Sequence, residues 1–175
     1  GGVLCVGGTM HLDRQGGNFS AGVYKPYLNA DDLTNYRPVR VVDPFWAKGA
    51  ATFGTFCLPC HQKTGLGAPS VAPPLAGSEW VLDEGPNRII RIVLNGLRGP
   101  ITVKGTDWNM DSMAAWGPVF DDETVAAVVT YIRGNKNWGH TMPAVTKEEV
   151  AAIRKSVGGR ESQWTSAELK AVPAK

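Results

Sequence analysis

Cysteine is scarce in this sequence: three residues in 175, too few for a disulfide scaffold. Charge of one sign is missing too. The chain has 18 basic and 16 acidic residues and a formal charge of +2, which gives no argument for nucleic acid or an anionic membrane surface as partner. No run of about 18 apolar residues occurs, which excludes a membrane-spanning helix within this sequence. Glycine (21) and proline (12) fall short of collagen-like or low-complexity levels. At 43% apolar residues, the chain has enough for one sizeable core.

The first 43 residues show almost no helical periodicity. Gly16-Gly17-Asn18, Pro26, Asn29 and Asp31-Asp32 punctuate them, as expected of an extended arm. The chain begins at Gly1 and its opening Gly1–Gly8 is small and apolar. We read it as the end of a removed signal sequence, of a missing membrane anchor, or as a plain apolar strand. From Asp43-Pro44 regular signals begin, a capping residue followed by proline at the first helical position. A first helix is expected over 44–56. Pro86 opens a second, with Ile89, Ile90, Val93 and Leu94 on one face and Gly96 as its stop. Ile101-Thr102-Val103 reads as a short strand or hairpin, followed by a loop ending at Gly117-Pro118. Asp121 caps a third helix carrying Val125, Val128, Val129 and Ile132 at helical spacing. Thr146 and Glu149 form a capping box for a fourth, with Val150, Ile153 and Val157. The expected class is all-α, in three parts: an arm over 1–43, a domain over 44–157, and a polar tail over 158–175 with one helical turn after Thr165.

The chemistry is concentrated in Cys57-Leu58-Pro59-Cys60-His61, a C-x-x-C-H run. Two thiols at this spacing can each add across a haem vinyl group, and the next residue then presents an imidazole to the iron. The spacing is demanding because both vinyls and the iron are fixed on one rigid ring. With three Cys and three His in the chain, composition alone produces the run roughly once in a thousand chains. A thiol–disulfide redox motif would want a strand before it and a helix after it. A structural zinc site would want about four ligands, and Cys5, His11 and His140 are scattered and unpaired.

With that motif, the chain resembles the class I c-type cytochromes. Gly49 and Phe53 stand eight and four positions before Cys57, where the family carries a glycine and an aromatic residue at the crossing of its terminal helices. Val128 and Tyr131 match the facing helix. Pro73-Pro74-Leu75-Ala76-Gly77 matches the segment whose proline carbonyl, here that of Pro73, accepts the N–H of the proximal histidine. The resemblance extends over 44–157. It looks closest to bacterial mono-haem domains that are membrane-tethered or associated with oxidase and dehydrogenase complexes. It implies a cytochrome c fold, three to four helices around one covalent haem c, with the N-terminal arm and a short hairpin before the ligand loop. It also implies an electron carrier rather than an enzyme, on the periplasmic side of a bacterial cytoplasmic membrane. Redox proteins of a respiratory complex would be its partners, with no nucleic acid. Membrane association would run through the N-terminal region or a partner subunit.

The expected haem-binding residues are therefore Cys57, Cys60, His61, Pro73 and a distal thioether, with His61 and Met113 on the iron. Met113 lies ahead of the Asp121 helix, where the family places its ligand, although Ala114 stands where the family has proline. Met110 is three residues away, and Met142-Pro143 lies beyond the last haem-packing helix. His11 and His140 are the nitrogen alternatives. Cys5 reads as a buried small residue, an anchor remnant or a lipid attachment point. Trp80 and Trp116 flank the ligand-bearing loops and are expected against the haem. The competing function is a haem peroxidase or ligand sensor with a labile distal methionine.

Overall fold

Proline at a first helical position has a preset φ and lacks an N–H that would find no partner there. In the computed structural model, which describes residues 43–174 and only the backbone at 110 and 111, helix α1 starts accordingly and runs Pro44–Thr52. The arm expected over 1–43, with Cys5 and His11, lies outside the described residues save for Asp43. The first helix does not stop near 56 as expected. It widens into a π-helical turn, Phe53–Cys57, closed by the Leu58 N–H on the Phe53 carbonyl, and continues as α2, Leu58–His61. Pro59 explains the widening. It has no N–H for the carbonyl four residues back and its ring crowds that carbonyl, and a looser turn ahead of it removes the conflict.

Helix α3 spans Asn87–Asn95 and buries Ile89, Ile90, Ile92, Val93 and Leu94. Gly96 ends it at φ 78°, a left-handed conformation that favours glycine. Strands β1, Leu97–Val103, and β2, Thr106–Met113, then form an antiparallel hairpin. Lys104 and Gly105 join them with φ of 53° and 72°, the two positive values that a tight hairpin turn of matching twist requires. The stretch read as loop after Val103 is therefore strand down to Met113. Its polar residues hid it, because β1 supplies the apolar side of the pair through Leu97, Ile101 and Val103.

Helix α4, Asp122–Arg133, is capped by the Asp121 side chain on the Thr124 N–H at 2.7 Å. Lys136–Trp138 is a single 3₁₀ turn. Helix α5, Lys147–Ser156, carries both halves of the Thr146–Glu149 capping box. Helices α1 and α4 cross with Gly49 against Ala127 and Tyr131, while Tyr131 packs on Trp46 and Phe53 at 5.0 and 5.4 Å between ring centres. A Cβ at 49 would overlap the Ala127 carbonyl. Gly49→Ala is expected to cost about 1–3 kcal/mol, the range for overpacking, read as a lower urea midpoint with unchanged slope.

The tail over 158–175 has the helical turn expected after Thr165, but it is packed onto the domain. Trp164 and Leu169 are 8% and 0% exposed. Trp164 pairs with Leu97 in a parallel bridge, and helix α6, Ser166–Lys170, has its own Thr165–Glu168 capping box. Two buried anchors in a charged run carry no periodicity, so the sequence pattern missed them. The charges are used locally: Arg160 lies 3.7 Å over the Trp164 ring and bonds Glu168 at 2.8 Å. That contact, then the Thr165 donors, holds the Glu168 carboxyl down to about 2. Its contribution is thus complete above the ordinary carboxylate range and disappears only as pH falls through about 2. No helix among the described residues is long and apolar enough to cross a membrane.

Candidate haem site

On the continuous helical stretch through α2, Cys57, Cys60 and His61 sit at i, i+3 and i+4, one face of a turn. Cys57 is half-buried and Cys60 exposed. They open onto a cavity of about 280 Å3 that is also lined by His61, Pro73 and Met113. Its remaining walls are almost wholly apolar, from α3, the hairpin and α4: Ile89, Val93, Leu97, Ile101, Val128 and Ile132 among them. All five residues singled out in the sequence thus face one cavity. Trp80 and Trp116 line it as well.

Burial, and then the neighbouring Cys60, push the Cys57 thiol up to about 12. A disulfide-exchange motif needs the opposite, a thiol held low so that thiolate is present at neutral pH. Burial also pushes the His61 imidazole down, against a smaller upward pull from the Pro73 carbonyl. The ring is therefore neutral at neutral pH, the form that ligates a metal. The Pro73 carbonyl is close enough to exert that pull, although the buried His61 Nδ1 makes no full hydrogen bond. An orphaned ring nitrogen in a 9%-exposed histidine is costly unless the imidazole has other work. An apolar cavity edged by two thiols, a neutral imidazole and a thioether fits a haem. It does not fit zinc: among the described residues no group of three or more His, Cys, Asp or Glu is placed to hold a metal ion.

Each side of the cavity is held by its own contacts. Gln62 turns the chain at φ 61°, and the following loop closes on itself, with Leu75 and Ala76 N–H on the Gly65 carbonyl at 2.7 and 2.9 Å. On the opposite side, a β-bulge sets Met113. Arg98 pairs with Ser112 but Gly99 with Met110, leaving residue 111 extra on β2. Side chains alternate along a strand, so without the extra residue Met113 would point away from the side shared by Trp108 and Ile101. With it, Met113 stands opposite Leu97, on the buried side. Trp116 and Gly117 N–H groups then bond the Val93 and Leu94 carbonyls, both at 2.9 Å, which returns the chain along the end of α3.

A family model described as cytochrome c oxidase, cbb3-type, subunit III, matches residues 44–132. The chain is also 37% identical over 118 residues to cytochrome c-552 of Thermus thermophilus, covering 62% of this chain and 85% of that protein. The chain belongs to the cytochrome c family. Within it, this cytochrome is 34% identical over 112 residues to the gluconate 2-dehydrogenase cytochrome c subunit of Pantoea cypripedii. It is 29% identical over 107 residues to the quinone alcohol dehydrogenase cytochrome c subunit of Gluconacetobacter polyoxogenes. These matches cover 61% of this chain in each case, but only 24% and 22% of the two subunits. Membership of the family implies covalently bound haem c.

Three supporting roles in this cytochrome escaped the sequence reading. His140, weighed as a distal ligand, is 1% exposed, and both its ring nitrogens are committed to the backbone. Nδ1 meets the Ile132 carbonyl at 2.8 Å, and Nε2 accepts the Gly77 N–H at 2.9 Å. Trp138 lays its ring against Gly65 and donates to the Lys63 carbonyl at 3.2 Å. Arg133 is 1% exposed and donates to the carbonyls of Val81, Asp83 and Gly85. Each is polar, and each ties a loop of the cavity to α4 or the turn after it. Helical spacing alone does not signal such contacts. Met142 does not line the cavity.

Proposed function

We propose that this cytochrome is a one-electron carrier with a single haem c, joined through Cys57 and Cys60 and ligated by His61 and Met113. The observation that carries the reading is that both thiols, the neutral imidazole and the thioether border one apolar cavity. When bound, the haem supplies an Fe(III)/Fe(II) couple. The chain does the rest. The thiols fix the ring in one orientation, the Pro73 carbonyl orients the His61 imidazole, and a thioether from Met113 favours the reduced state. The apolar walls exclude water. Two protein ligands leave no open position, which favours a carrier over an enzyme.

The relatives named as dehydrogenase subunits support a redox complex as partner, and the resemblance to class I c-type cytochromes favours the periplasmic side of the membrane. Residues 1–43 would serve attachment to that membrane or complex, since Phe19, Tyr24, Tyr27 and Tyr36 are many aromatics for a free tail. The peroxidase or sensor alternative draws on Ala114 in place of proline, and the backbone bonds at Trp116 and Gly117 weigh against it. Under denaturing conditions, the full chain and a chain lacking residues 1–42 should each weigh the polypeptide plus one haem. Both should resist carbon monoxide when reduced. Only the full chain should co-purify with membranes or its redox complex. A bare-chain mass for native protein would overturn the haem reading, and equal co-purification would remove the role of the arm.

A further inference from the structure

The C-terminal segment lies beyond the residues matched by the family model, yet it reaches the strand end that carries Met113. Gln163 donates from Nε2 to the Met113 carbonyl at 2.8 Å. The Trp164 N–H bonds the Gly96 carbonyl at 3.1 Å, and the Arg98 N–H bonds the Trp164 carbonyl at 2.8 Å. The segment therefore grips both strands at the bulged end of the hairpin. Gly96 permits the close approach on the other side, because a Cβ there would overlap the Met113 carbonyl and crowd Ala114.

Gln163 is itself held in place. Its own carbonyl accepts from Arg160 at 3.0 Å. The neighbouring Trp164 ring is flanked by the Arg160 and Arg91 guanidinium groups at 3.7 and 5.3 Å. Trp164 Nε1 reaches Asn95, whose amide donates to the Arg160 carbonyl at 3.1 Å. Leu169, fully buried, anchors α6 behind it. A donor fixed on both flanks loses little freedom in making its bond, so the contact restrains the Met113 backbone rather than following it.

We propose that Gln163 is a positioning residue for the distal ligand: the C-terminal segment supplies the stiffness that Ala114, standing where the resembled family has proline, does not. The proposal rests on the reading of Met113 as the sixth ligand. Its consequence is a Met113–iron bond that opens less readily than the loop sequence alone suggests.

The test is Gln163→Glu in the full haem-loaded chain. It keeps the shape of the side chain, but at neutral pH it replaces the donor with a carboxylate oxygen facing the Met113 carbonyl. Two quantities are read: the pH at which the near-infrared sulfur-to-iron band of the oxidised protein disappears, and the rate of carbon monoxide binding to the reduced protein. Losing one hydrogen bond, typically 0.5–1.5 kcal/mol, should raise the ligand-off population about three- to tenfold. The band should then fade about half to one pH unit lower. Gln163→Ala should act in the same direction, and Gln163→His, which retains an N–H donor, should recover part of the effect. Urea midpoints of the variants check that the fold survives. A band present in the unmodified protein, with both quantities unchanged in Gln163→Glu and Gln163→Ala, overturns the clasp alone. A band absent from the unmodified protein overturns the Met113 reading and the clasp with it.

Discussion

Replacing Cys57 and Cys60 together with Ala is expected to give a chain whose denaturing mass equals that of the bare polypeptide, a complete loss of covalent haem. Cys57→Ala or Cys60→Ala alone should retain one thioether at reduced yield. His61→Ala should retain both thioethers but lose the low-spin spectrum, because among the described residues the His61 imidazole is the one nitrogen ligand that lines the cavity. The three outcomes separate attachment from ligation. A redox-active cysteine pair would behave differently. Its thiols would be acidic and would cycle with a disulfide, whereas the Cys57 thiol is pushed up to about 12 by burial and by Cys60. Full haem mass in the double variant would break the reading outright.

The cavity wall made by C-x-x-C-H was legible because its constraint is local. Two thiols and an imidazole within five residues need only one helical turn to converge, and covalent chemistry fixes their spacing. Helices α3, α4 and α5 were legible for a related reason. Ile89, Ile90, Val93, Val125, Val128 and Val150 repeat at helical spacing, and Asp121 and the Thr146–Glu149 box mark the starts. The distal side was less legible. Strand β2 carries Thr106, Asp107, Asn109 and Ser112, polar residues that read as loop, and it exists because β1 provides the apolar partner. The bulge opposite Arg98–Gly99 is a property of pairing, not of either strand alone. The C-terminal clasp depends on Trp164 and Leu169 finding pockets some 70 residues away in sequence, and no local pattern encodes that. The π turn at Phe53–Cys57 was not read from the sequence: a proline such as Pro59 disturbs a helix, but nothing local says that the helix widens and continues.

Met113→Ala is expected to abolish the near-infrared sulfur-to-iron band of the oxidised protein and to open the reduced protein to carbon monoxide. Met110→Ala should do neither. Chemistry does not separate the two, since both are thioethers. Backbone geometry does. Met113 stands opposite Leu97 after the bulge and lines the cavity. It is also the last residue of β2, so the chain beyond it is free to turn toward α3, where Trp116 and Gly117 bond the Val93 and Leu94 carbonyls. Residue 110 pairs with Gly99 inside the ladder, ahead of the bulge. Its backbone is held within the paired ladder, three residues short of the strand end at which the chain turns toward α3. Loss of the band in Met110→Ala with retention in Met113→Ala would move the ligand to Met110. An unchanged band in both variants would place the sulfur outside β2, with Met142 the next residue to replace. Deleting residue 111 offers an independent check, because it removes the bulge while sparing both thioethers. If the bulge is what turns Met113 inward, that deletion should abolish the band as completely as Met113→Ala does.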